Sequence, residues 1–284
     1  TAVGFFASNE NTSGTNNNSF GQQSGRNTTS GSWNCSFGNL TLNTNQTGNY
    51  NTCFGGFALR NSTSDNNTAI GYNAGVNITS GQSNTCVGSR AGQSIQTTSS
   101  NTCVGDRAGF TAQGEQNTYV GKNSGYNGGG SQNVGIGYLA LRAHSSGGAG
   151  SYNVAIGYES GYTLSGSNNT LVGQQSGYDL TSGSYNTGIG NAVLYELTTG
   201  NYNSVLGRFA GRRITTGHNN TCIGDEAGDN ITTGSNNLLL GHDATASSVT
   251  VSNEVTIGDA NITKFRIPGI NVTLKDNGGT PTQG

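Results

Sequence analysis

Three histidines, five cysteines, fourteen carboxylates and twelve lysines or arginines are the residues of this 284-residue chain able to do proton, metal or nucleophile chemistry. Their spacing does not gather them. His144, His218 and His242 lie far apart, each in or beside a turn, and form no i, i+4 ligand pair. Cys35, Cys53, Cys86, Cys103 and Cys222 include no C-x-x-C pair, which argues against zinc. Cys86 and Cys103 fall in the same slot of neighbouring repeats, but adjacent parallel strands seldom meet disulfide geometry, so free thiols are expected. A Gly-x-Ser-x-Gly elbow, a phosphate-loop lysine and a calcium nonapeptide are all missing. The expectation is a protein that is not an enzyme and holds no cofactor. Catalysis would require carboxylates to converge across repeats or subunits.

Binding chemistry is better represented. Aromatic side chains recur beside turns: Trp33, Tyr50, Tyr152, Tyr185 and Tyr202 in one series, Phe110, Tyr126, Tyr162, Tyr178 and Tyr195 in another. Flat rings beside Asn and Asp suit sugar rings through apolar stacking and hydrogen bonds, and turn packing or subunit contact is the plainer reading. Asn67, Asn84, Asn101, Asn117, Asn169, Asn186, Asn203 and Asn220 recur at one position and read as a structural ladder, because Asn tolerates turn dihedrals and its amide can bond turn backbone. A Thr column (Thr52, Thr68, Thr85, Thr102, Thr118) reads as β-branched ladder filling, with ice binding a remote alternative. Asn-x-Ser/Thr triplets at Asn27, Asn39, Asn45 and Asn61 would accept glycans in a secreted eukaryotic protein, and equally arise from composition.

The elements that must position these residues come from a repeat. Asn67 to Gly75 recurs in shorter form at Asn84–Gly88, Asn101–Gly105, Asn169–Gly173 and Asn220–Gly224. Anchoring each copy on the Gly after a large apolar residue gives sixteen anchors from Gly4 to Gly258, spaced 17 residues apart in ten intervals, 16 in four and 20 in one. The long interval, after Gly137, places extra residues in a turn. Position −1 is Val, Phe, Ile or Leu, position −4 is Asn from Asn17 to Asn237, and +4 is often Gly. Position +7 is often apolar, as at Ile78, Leu164 and Ile214. Glycine this frequent forbids helices, so each repeat predicts two short strands and two turns, one coil of a solenoid. The fold class is therefore all-β: a parallel β-solenoid (β-roll) of about sixteen 17-residue coils, with Val87 beside Val104. Ile70, Val87, Val104, Ile156, Val172, Ile189, Leu206 and Ile223 are expected to form one buried column, so that Asp at Val104 would unfold several coils. Position −2 would then face outward. Residues 1–263 read as the repeat domain and 264–284 as a cap, junction or linker.

Hydrophobic residues make up 31% and charged residues 9%, with the apolar ones at fixed register, which argues for a thin continuous core rather than disorder. A net charge of −2 without a basic stripe argues against a nucleic-acid partner. No run of 18 apolar residues predicts membrane insertion by this segment. The chain opens inside a repeat, as a fragment or processed product would.

The Asn-Thr-x-Ile/Val-Gly-x-x-Ala-Gly repeats, ending in Val251 to Thr263, resemble the shafts of bacteriophage and marine-virus tail fibres. They resemble more loosely the head repeats of trimeric autotransporter adhesins, whose unit is nearer 14 residues. The resemblance implies a homotrimeric β-roll on a virion or cell surface, hence extracellular, that contributes to attachment to a host-cell surface glycan or receptor. The mostly uncharged −2 column would lie near the three-chain contact or on a protected face. The function expected is a structural and adhesive fibre. The alternatives are a bacterial surface adhesin head and a subunit of a secreted extracellular filament.

Overall fold

A computed structural model describes residues 1–143, 149–264 and 266 of the chain. It contains sixteen strands, from β1 (Ala2–Val3) to β16 (Val255–Ile257), and no helix among the described residues. All sixteen lie in one parallel sheet in strict chain order. The register is one repeat per strand: in β6 (Thr85–Val87) and β7 (Thr102–Val104), Thr85 pairs Thr102, Cys86 pairs Cys103 and Val87 pairs Val104. Across the 20-residue interval β9 (Val134–Ile136) pairs β10 (Val154–Ile156) without slippage, so the extra residues leave the stack intact. With parallel strands about 4.8 Å apart, sixteen coils make a sheet about 72 Å long.

Each coil carries one strand, not the two that the apolar runs suggest. The second run lies in turn conformation because left-handed residues interrupt it at +2 and +4, as at Arg90 (φ 58°) and Gly92 (φ 56°). Its backbone still bonds coil to coil: Gly92 N–H donates to Ala108 carbonyl at 2.9 Å, and Thr198 N–H to Thr215 carbonyl at 2.8 Å. The anchor glycine cannot be replaced. Gly88 has φ 131°, and a Cβ there would stand 2.5 Å from the Gly105 oxygen of the next coil.

The two faces of the strand are the reverse of the expectation. Position −2 points inward: Cys53, Ala69, Cys86, Cys103, Tyr119, Leu171, Val205, Cys222 and Leu239 are buried. They pack on Ala74, Ala91, Ala108, Ala210 and Ala227 at +3 and on Ile78, Ile95, Leu164, Leu180, Ile214 and Ile231 at +7. Position −1 points outward. Ile70, Ile156, Ile189, Leu206 and Ile223 are exposed, Leu206 to 47%, while Val87, Val104 and Val172 are half-buried. The reason is parity. Side chains alternate along a strand, so −4 and −2 share a face. The Asn at −4 is buried by its ladder, and −2 must follow it. The lumen is also too narrow for a large side chain from every element. Where −2 is Gly, +4 becomes Leu, as in Gly135 with Leu141 and Gly188 with Leu194. Where −2 is Leu171, +4 is Gly177, and a Cβ there would lie 2.8 Å from Leu171 Cδ1. Tyr119 fits because Gly125 and Gly128 both leave it room.

Position −2 is therefore core and not an outer column. The end segment expected over 264–284 falls outside the described residues except for 264 and 266, as does His144.

Candidate functional site

The Asn column is a continuous internal hydrogen-bond ladder. Asn186 Oδ1 accepts from Asn203 N–H at 3.0 Å and from Asn203 Nδ2 at 3.0 Å. Asn186 Nδ2 donates to Asn169 Oδ1 at 3.1 Å and to Gly200 carbonyl at 2.9 Å. The same main-chain bond runs through Asn67, Asn84, Asn101, Asn117 and Asn220, each at 2.9 to 3.0 Å. These amides are buried and fully engaged, so their chemistry is structural. Asn45 is also buried, bonded to both backbone groups of Gly48, which removes it as a glycan acceptor.

The remaining reactive groups are absorbed in the same way. All five cysteines are free. The hydrogen bond to Cys86, then burial, raise the Cys103 thiol, and burial pushes Cys222 up to about 12. His218 Nδ1 accepts from Asn201 N–H at 3.0 Å, filling a place that Ser167 and Ser184 hold in earlier coils. His242 lies beside Asp243, its Nδ1 3.3 Å from the carboxylate. Asp225 is gripped by Arg208 through two bonds of 2.8 and 2.9 Å, which holds its carboxyl below the usual range. Among the described residues no three of His, Cys, Asp and Glu are placed to hold a metal ion. Among the described residues no helix is long and apolar enough to cross a membrane.

Two aromatic series line the turns. Trp33, Tyr50, Tyr152, Tyr185 and Tyr202 are exposed, Tyr152 to 59%. All five have positive φ, from 58° to 62°. Asn16, Ser83 and Gln132 share that backbone in other coils, so it belongs to the repeat and marks no special strain. Tyr185 and Tyr202 stack at 5.0 Å. Tyr162, Tyr178 and Tyr195 are half-buried and stack at 4.9 and 5.0 Å, within 4° of parallel. Stacking covers most of their faces, leaving ring edges and hydroxyls outward. Burial raises the Tyr178 and Tyr195 phenols and also the Asp179 carboxyl beside them.

Two features escaped sequence reasoning. The first is a stripe of apolar −1 side chains along the open sheet face. It starts at Val3, passes through stacked Phe20, Phe37 and Phe54, and ends at Ile257. The Thr column at −3 shares that face. The second is a polar cavity between Arg107, Asn123, Tyr126 and Arg142. Its signal was a local excess of cations: between residues 84 and 143, Arg90, Arg107, Lys122 and Arg142 face only Asp106 and Glu115.

A single parallel sheet wound one strand per coil, with its polar ladder inside, defines the chain as a β-solenoid repeat protein. No protein-family model, curated protein or solved structure matches it.

Proposed function

We propose that the chain is the shaft of an extracellular fibre, on a virion or cell surface, that assembles as a parallel homotrimer and contributes to attachment to surface glycans. The observation that carries the reading is the apolar −1 stripe, continuous over sixteen coils. Isolated exposed apolar residues are ordinary, but a contiguous row marks an interaction surface. The occupant that fits is another copy of the same chain. Its side chains repeat at the same spacing of about 4.8 Å, so rows interdigitate in register along the full length. A face about 72 Å by about 10 Å offers roughly 700 Å² per chain, close to the ~800 Å² per partner of a stable interface. The face is only three residues wide, and three narrow faces closing on one axis cover the stripe completely. Trimerisation also triplicates each exposed ring, giving avidity without a deep pocket.

Light scattering of the purified chain tests the assembly: about 87 kDa is expected, against 29.0 kDa for one chain, and a stable monomer overturns it. Attachment is tested by retention on an immobilised panel of surface saccharides. Retention weakened by Trp33→Ala or Tyr152→Ala supports it, and no retention on any member removes it.

A further inference from the structure

Arg107 and Asn123 occupy position +2 of successive coils, and Tyr126 and Arg142 occupy position +5 of successive coils. The four side chains line an open pocket of about 220 Å³ between the two columns. Arg142 lays its guanidinium 5.1 Å from the Tyr162 ring centre, which fixes the group. Its Nη1 is nonetheless buried and without a hydrogen-bond partner, and so is Asn123 Oδ1. Among the described residues neither Arg107 nor Arg142 has an ion pair, although Arg212, later in the column of Arg142, does. A buried donor and a buried acceptor left unpaired in one cavity cost a few kcal/mol together unless something enters to satisfy both.

We propose that this cavity is a binding site for a carboxylate-bearing sugar residue. Two guanidiniums call for an anion, and a carboxylate matches their planar donors. Asn123 Oδ1 calls for a donor, which a simple inorganic anion lacks and a neighbouring sugar hydroxyl supplies. The cavity volume is of the order of one monosaccharide. This inference deepens the attachment reading and rests on it for the choice of a surface saccharide over another hydroxylated carboxylate.

The test uses the full chain, titrated by NMR with sodium glucuronate, with glucose and with sodium sulfate. The variants are Arg107→Gln and Asn123→Asp. The repeat already carries Gln at this position as Gln23 and Gln175, and Asp as Asp243, so both variants should fold. Far-UV circular dichroism checks this. Saturable glucuronate binding is expected, with sulfate weaker and glucose undetected. Arg107→Gln should weaken glucuronate at least about tenfold, near 1.4 kcal/mol, and Asn123→Asp should abolish binding by setting a carboxylate against the ligand's own. Sulfate binding as tight as glucuronate means an adventitious anion only and overturns the proposal. So does unchanged glucuronate binding by either folded variant, or no saturable binding by the wild type. The saccharide panel is read separately: retention that survives Arg107→Gln keeps the attachment reading while this site fails.

Discussion

Asn186 shows how one residue type holds the coils together. Its amide closes five hydrogen bonds in a buried channel. Asn186→Leu leaves the Asn203 N–H and the Gly200 carbonyl without partners, so a loss of about 3 kcal/mol is expected, read as a lower denaturant midpoint. A midpoint unchanged within error would mean the ladder is decorative. Cysteine accessibility provides a second residue-scale prediction. Cys53, Cys103 and Cys222 are buried, with thiols raised well above the ordinary range, whereas Cys35 is only half-buried. At pH 8, iodoacetamide followed by mass spectrometry should modify Cys35 first and reach the others only after unfolding. The Arg208–Asp225 pair has a definite sign. Asp225 is depressed in the folded chain, so the pair favours folding above the ordinary carboxylate pKa and loses that contribution as pH falls through the folded value. An NMR titration of Arg208→Gln should find the Asp225 pKa moved upward.

At the scale of the element, the register was legible and the orientation was not. The anchor glycines gave the coil length, the parallel pairing and the partnership of Val87 with Val104, because those follow from periodicity alone. Apolar character at −1 does not reveal facing. In a coil one strand wide, the lumen takes small residues (Gly, Ala, Ser or Cys) at most −2 positions, and the larger Ile, Val and Phe stand outside. The Asn at −4 held the answer, since its parity with −2 fixes the inner face. The exchange of Gly188 with Leu194 against Leu171 with Gly177 was equally visible as a pattern. It could be read only once both positions were known to share one space. The cavity between Arg107 and Arg142 was less accessible still, since it joins two columns whose angular relation no spacing reveals. The corrected facing changes an expected outcome. Leu171→Asp places a charge in the core and should abolish protease resistance over several coils. Val104→Asp, on the outer face, should leave the chain folded. Equal damage from the two would return the −1 column to the interior.

For the whole molecule, a stack only one coil thick has a poor ratio of buried to exposed surface, and covering the −1 stripe improves it. A trimer that unfolds to three chains must become more heat-stable as concentration rises, by mass action. A tenfold increase multiplies the unfolding quotient by a hundred, worth about 2.7 kcal/mol per trimer. At roughly 2 cal/mol/K per residue, the unfolding entropy of three chains is about 1.8 kcal/mol/K, so Tm should rise by about 1.5 °C per tenfold. A lone solenoid shows no such slope. Leu206→Asp inserts a charge into the stripe while its neighbour Val205 keeps the core filled. It should therefore flatten the dependence without erasing the β-sheet signal in circular dichroism. A wild-type Tm independent of concentration over a hundredfold range, in a protein that light scattering finds monomeric, would leave the stripe in need of a different partner.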